Sequence, residues 1–158
     1  NKMKRLILIL AIISLSTSVS FSNELESNFE KNGRVIKLDP INFYSEYKKK
    51  CSMYVEILTA LTNDKAFLSA SCHYYAPRRA HSFNRYIAKM VPLVEEGINV
   101  IELDTINMHG KYTKECSTMV QILNSLSTDE VVFSATCTYI APRDIYPYNR
   151  LKVKAVLL

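Results

Sequence analysis

The chain has 158 residues, 48% of them hydrophobic and 22% charged, with only 3 Gly and 5 Pro. That is the composition of one globular domain, and it excludes a disordered chain, a collagen-like fibre and a multidomain enzyme. The formal net charge of +5 suggests nucleic acid, but the placement of the charges removes that reading.

Three of the 20 basic residues, Lys2, Lys4 and Arg5, precede the apolar run LILILAIISL, Leu6 to Leu15. Ten apolar residues are too few to cross a bilayer, which takes roughly 20 in a helix, but they match the core of a secretory signal. Ser16 to Ser22 follow as a segment of mostly small side chains, with Ser18, Ser20 and Ser22 among them. The pattern predicts a signal peptide over residues 1–22, cleaved after Ser22 or, as the other candidate, after Ser20; an uncleaved signal anchor is the competing reading. From Asn23 onward 17 of the 20 basic residues face all 15 acidic ones, a net +2, so the electrostatic case for a nucleic-acid partner is gone. The first cysteine is Cys51, too far from the cleavage site for a lipoprotein thioether anchor, and no later apolar run approaches 18 residues. The expected location is the periplasm, with secretion as the alternative, and no stable membrane anchor.

The rest of the chain repeats itself. Tyr47 to Val91 aligns without a gap on Tyr112 to Val156, an offset of 65 residues, with 20 of 45 positions identical. Upstream, Ile36, Leu38, Asp39, Ile41 and Asn42 answer to Ile101, Leu103, Asp104, Ile106 and Asn107. A fixed internal period is the mark of a repeated structural unit, so residues 23–91 and 92–158 are expected to be two copies of one unit, packed as one domain with pseudo-twofold symmetry. Two small domains joined near Pro92 to Gly97 are the alternative.

In chain order, each unit opens on a short β-rich stretch, Arg34 to Leu38 or Asn99 to Leu103. Tyr44, Tyr47, Cys51, Tyr54, Leu58 and Leu61 then recur at intervals of three and four, as do Tyr112, Cys116, Met119, Leu123 and Leu126. This is one face of an amphipathic helix. Asp39 followed by Pro40 reads as its N-cap and first residue. Gly110 delays or bends the second helix, at a cost of about 1 kcal/mol relative to Ala. The period next switches to two in Leu68, Ala70, Cys72, Tyr74 and in Phe133, Ala135, Cys137, Tyr139, which predicts strands. A further strand follows each Ala-Pro-Arg loop, over Tyr86 to Val91 and Leu151 to Leu157. The expected fold is therefore α+β, a tandem duplication of a β-α-β-β unit with helices packed on an antiparallel or mixed sheet.

Four cysteines in an exported chain point to disulfides. Cys51 to Cys72 and Cys116 to Cys137 are both 21 positions apart, and in each pair the first lies on the apolar helix stripe and the second on the apolar strand face. One bond per unit is expected, stabilising a unit too small to bury much surface. With no CxxC and no His at zinc-finger spacing, neither a metal site nor a redox role is expected.

GxSxG, HExxH, P-loop, GxGxxG and calcium-loop motifs are all missing. His73, His81 and His109 have no counterparts in the other copy. No catalytic residues and no cofactor are expected. Two short motifs do recur, Ala76-Pro77-Arg78 with Ala141-Pro142-Arg143 and Asn84-Arg85 with Asn149-Arg150. One role for them is architectural: Pro ends the strand, Asn bonds its own backbone in a turn, and Arg78 or Arg85 locks the loop to a carboxylate such as Asp64. The other is presentation of arginines to a partner. Charge favours the first copy for that role: Tyr47 to Val91 nets +6 and Tyr112 to Val156 nets +1. The candidate partner-binding residues are Arg78, Arg79, His81, Phe83 and Arg85, a mixture of charge and aromatic surface typical of interface anchors.

In overall design, with a signal peptide, paired disulfides and a basic loop, the chain resembles small exported bacterial proteins that neutralise a toxin or hydrolase, such as periplasmic bacteriocin immunity proteins and lysozyme inhibitors. The resemblance implies a non-enzymatic protein that binds a protein partner, a bacteriocin or a lysozyme-like muramidase. A structural or accessory part of a cell-envelope or secretion assembly is the second class. An enzyme whose groups converge from distant parts of the chain is the third.

Overall fold

The computed structural model describes residues 34–158, and the expected signal peptide lies outside the described residues. In chain order the elements are β1 (Ile36–Lys37), β2 (Ile41–Phe43), α1 (Ser45–Lys49), α2 (Cys51–Ala60), β3 (Ala66–Tyr75) and β4 (Phe83–Pro92). They continue with β5 (Val100–Glu102), β6 (Ile106–Met108), a 3-10 turn (Gly110–Tyr112), α3 (Glu115–Leu126), β7 (Val131–Ile140) and β8 (Tyr148–Leu157). The fold is α+β with two antiparallel sheets. In the first, β4 is central, β3 lies along one edge, and β1 and β2 share the other; in the second, β8, β7, β5 and β6 take the same places.

The long hairpins form the expected period-two strands, with Leu68 opposite Met90 and Cys72 opposite Tyr86, then Phe133 opposite Ala155 and Cys137 opposite Leu151. The helix start differs from expectation. Asp39 and Pro40 do not begin a helix; Ile41 to Phe43 extend along β4 instead, with Ile41 opposite Tyr86 and Phe43 opposite Asn84. The half is therefore β-β-α-β-β, not β-α-β-β. An Asp-Pro pair suits a turn as well as a cap, and the open edge of β4 gives Ile41 and Phe43 a ladder to join. Helix begins only at Ser45, which sits at φ 52°. In the second half Gly110, at φ 54°, opens the 3-10 turn and regular helix waits until Glu115.

Between β1 and β2, Leu38 to Pro40 oppose only Ile87 and Ala88, so one extra residue bulges from the edge strand; Leu103 to Thr105 do the same opposite Lys152 and Val153. A bulge leaves one residue out of the ladder and re-aims its backbone. Here the amide N–H of Asp39 donates to the Leu126 carbonyl at 3.3 Å, and that of Asp104 to the Leu61 carbonyl at 3.1 Å. Each half thus satisfies a carbonyl at the C-terminal end of the other half's helix, where carbonyls lack intrahelical partners. At the other end of the helices Lys50 Nζ donates to Glu115 Oε1 at 2.8 Å. These two positions are 65 apart and equivalent in the internal alignment. Contacts between equivalent residues are what an isologous interface produces near its axis.

One buried core draws on both sheets and both long helices, from Ile36, Tyr54, Leu58 and Met90 to Ile101, Met119, Leu123 and Ala155. Val35–Leu158 form one compact unit. Both expected disulfides are present, Cys51–Cys72 with Cα atoms 6.2 Å apart and Cys116–Cys137 with Cα atoms 5.9 Å apart. Each ties the first turn of a long helix to the middle of the strand it packs on. Among the described residues no helix is long and apolar enough to cross a membrane.

Candidate functional site

The β3–β4 hairpin places the candidate residues at one end of the first sheet. Arg78, Arg79 and His81 lie exposed in the connecting loop, while Phe83 and Arg85 lie half-buried in β4. Side chains alternate between faces along a strand and share a face with their direct opposites. Cys72 is bonded to α2, so Phe83, opposite Tyr75, and Arg85, opposite His73 and Asn42, occupy the face away from the helix.

On that face the Phe83 ring stacks on Tyr75 at 5.3 Å and 15° and meets Tyr44 at 5.3 Å. The Arg85 guanidinium lies over Tyr75 at 5.0 Å and over Phe83 at 5.7 Å. Its Nε donates to Asn42 Oδ1 at 3.1 Å. Arg85 is therefore held by an amide and two ring faces, not by Asp64. Arg78 and Arg79 make no ion pair among the described residues, so the structure brings Phe83 and Arg85 together and leaves the loop arginines projecting.

Asn84 does not fold back on its own turn either. Its Nδ2 donates to the Lys48 carbonyl at 2.6 Å, 36 residues away, and Asn149 donates to the Thr113 carbonyl at 2.8 Å. In both halves this Asn ties the sheet to the segment ahead of the long helix. In the first half α1 lies beside the loop, and the two border an open, shallow cavity of about 390 Å³ lined by Tyr44, Ser45, Lys48, His81 and Ser82. Lys48 Nζ donates to Ser82 Oγ at 2.9 Å and stands 5.7 Å over the Tyr74 ring. The cavity is cationic and aromatic, and of the candidate residues only His81 lines it.

Sequence reasoning missed Asn42, Tyr44, Ser45, Lys48 and Tyr75. The signal for Asn42 was its repetition as Asn107, which bonds Arg150 Nε at 3.0 Å. For Tyr44, Ser45 and Lys48 it was the reverse, a departure from their equivalents His109, Gly110 and Thr113.

The remaining histidines sit apart from the cavity: His73 is exposed and 3.0 Å from Ser71 Oγ, and the His109 ring lies 4.8 Å from Tyr148. Glu115 is buried, with Oε1 on Lys50 and Oε2 without a hydrogen-bond partner among the described residues. Burial, reinforced by the Glu115 carboxylate, pushes the Tyr54 hydroxyl above its ordinary pKa. All four cysteines are in disulfides, and no three metal-ligating side chains gather among the described residues. What the hairpin end offers chemically is recognition: exposed rings, fixed cations and hydroxyls around a shallow chamber. No protein-family model, no curated protein and no solved structure matches the chain.

Proposed function

We propose that the chain is an exported protein that neutralises a toxin or hydrolase in the periplasm by direct protein–protein contact, through the hairpin end of its first half. The observation that carries the reading is the difference between two halves of like architecture. Tyr44, Lys48, His81 and Phe83 form an aromatic and basic surface in one half, where the other has His109, Thr113, Tyr146 and Tyr148. Aromatic residues and arginine are the types enriched at the centre of protein interfaces and among their energetic anchors. A tandem duplication accounts for this division: one copy keeps the scaffold and the other diverges toward a partner. The disulfides fit an oxidising compartment. A muramidase is a suitable target class, since its cleft carries the two carboxylates of glycoside hydrolysis and attracts an inserted arginine.

The test is affinity capture from periplasmic extract or culture medium, followed by inhibition of whatever activity the captured protein has. Retention of a hydrolase or bacteriocin that loses activity on binding supports the reading. Retention of a pilus or secretion subunit supports an accessory role in an envelope assembly instead.

A further inference from the structure

Arg85 and Arg150 hold equivalent positions, and each has its Nε fixed by an Asn carbonyl oxygen on the neighbouring strand, at 3.1 and 3.0 Å. Their outer ends differ. Arg150 Nη2 donates to the Tyr148 hydroxyl at 3.0 Å. The equivalent of Tyr148 is Phe83, which has no hydroxyl, and the terminal nitrogens of Arg85 have no acceptor among the described residues. One oxygen atom separates a closed arginine fork from an open one. The open fork is nonetheless preorganised, because the rings of Tyr75 and Phe83 and the amide of Asn42 fix its plane.

The surroundings differ in the same direction. Tyr44, in ring contact with Phe83, is also a wall of the cavity that holds Lys48 and His81. The second half has Gly110, Thr113 and Tyr146 where the first has Ser45, Lys48 and His81, and Pro147 in place of Ser82. No Asp or Glu occurs from His73 through Arg85; the nearest along the chain are Asp64 and Glu95, and Glu46, in α1 beside Tyr44, is exposed. A planar, ring-backed guanidinium with both terminal nitrogens available pairs best with a planar carboxylate, in two parallel hydrogen bonds. The adjoining rings supply apolar surface for whatever flanks that carboxylate.

We propose that Arg85 is a carboxylate receptor, taking one Asp or Glu side chain of the protein partner while the apolar flank of that acidic segment packs on Tyr44 and Phe83 at the mouth of the cavity. This rests on the protein-binding reading above and narrows it. The anchor is Arg85, and the loop residues Arg78 and Arg79 are peripheral charges that steer the approach.

The probe is the dipeptide acetyl-Leu-Glu-amide, titrated against the disulfide-bonded protein while the Nε–Hε signals of Arg85 and Arg150 are followed by NMR. Arg85 should shift saturably in the millimolar range and Arg150 should not, with acetyl-Leu-Gln-amide at least about tenfold weaker. Phe83→Tyr, which copies the second half, should close the fork and weaken binding about fivefold or more, and Arg85→Lys, which keeps the charge, should do likewise. Tyr148→Phe should make Arg150 respond. Equal shifts at the two arginines, equal binding of the Glu and Gln probes, or no shift at about 20 mM overturns the proposal. A chain that binds the dipeptide yet retains no partner supports the receptor and overturns the neutralising role. A chain that retains its partner undiminished as Arg85→Ala overturns the receptor alone.

Discussion

Replacing Cys51 and Cys72 together by Ala removes a cross-link that closes a loop of 21 positions, and the Cys116–Cys137 bond closes one of the same span. In the chain-entropy account a loop of that length is worth about 3.4 kcal/mol at 25 °C, held by restricting the unfolded chain. A folded domain of about 125 residues unfolds with an entropy near 0.26 kcal/mol/K, so the loss corresponds to a fall in Tm of about 13 °C. Cys51 and Cys116 are both almost fully buried at the first turn of their helices, so the packing lost with sulfur is also similar in the two pairs. Thermal unfolding followed by circular dichroism should show falls of this size, equal within a few degrees for the two variants. Removing both bonds should cost about 7 kcal/mol, comparable with the whole stability of a small domain, and leave the chain largely unfolded at 37 °C. A fall of less than about 3 °C for either pair, or a twofold difference between the pairs, would refute equal loop closure as the source of the stability.

Asn84→Ala and Asn149→Ala each delete a side-chain bond to the segment ahead of a helix and should each cost about 1 kcal/mol in denaturant unfolding. Only the first should also disturb the cavity, visible as NMR shifts at Lys48 and Ser82. Glu115→Lys sets two cations against each other between the halves and should lower the urea midpoint, while Lys50→Glu combined with Glu115→Lys should restore most of the loss if the two residues meet as observed. Burial holds the Tyr86 hydroxyl well above its ordinary pKa near 10, and its hydrogen bond to the Tyr54 carbonyl, at 2.9 Å, is made by the protonated form. In alkaline solution the folded chain keeps a proton that the unfolded chain releases, so this contribution is complete below pH 10 and lost as pH rises above it. Urea midpoints measured from pH 8 to about 11.5 should fall, and Tyr86→Phe should make the fall shallower; a flat profile contradicts the assignment.

Much of the fold is legible in the sequence because it is written in local periods. The alternation around Cys72 and Cys137 fixes the strands, and the stripe through Cys51, Tyr54 and Leu58 fixes the helix that faces them, so the disulfide pairing follows. β2 is not legible, because Asp39-Pro40 reads equally as a helix start and as a turn. The recurrence of Tyr44 and Tyr47 at helical spacing extends the apparent stripe backwards, although both side chains are exposed. What decides the matter is the free edge of β4, a partner more than 40 residues away. The site is split in the same way. Phe83 and Arg85 stand out as charge and aromaticity on a loop, but Tyr44, Ser45 and Lys48 join them through long-range contacts, the β2–β4 ladder, the Tyr44–Phe83 ring contact and the bonds from Asn84 to Lys48 and from Lys48 to Ser82, which no local pattern announces. The substitution that opens Arg85, Phe83 for Tyr148, is present in the internal alignment but carries meaning only once both rings are placed beside their arginines.

In the proposed function the first half binds a protein partner through its hairpin end while the second half serves as scaffold. Capture with immobilised wild-type protein, compared side by side with Arg85→Ala and Arg150→Ala, tests it most directly. An anchoring arginine typically costs upward of about 2 kcal/mol on truncation, about 30-fold in affinity. The wild-type and Arg150→Ala matrices should retain one dominant protein, inhibited by the soluble chain, and the Arg85→Ala matrix should lose it. A partner retained equally by all three, or lost only with Arg150→Ala, would contradict it.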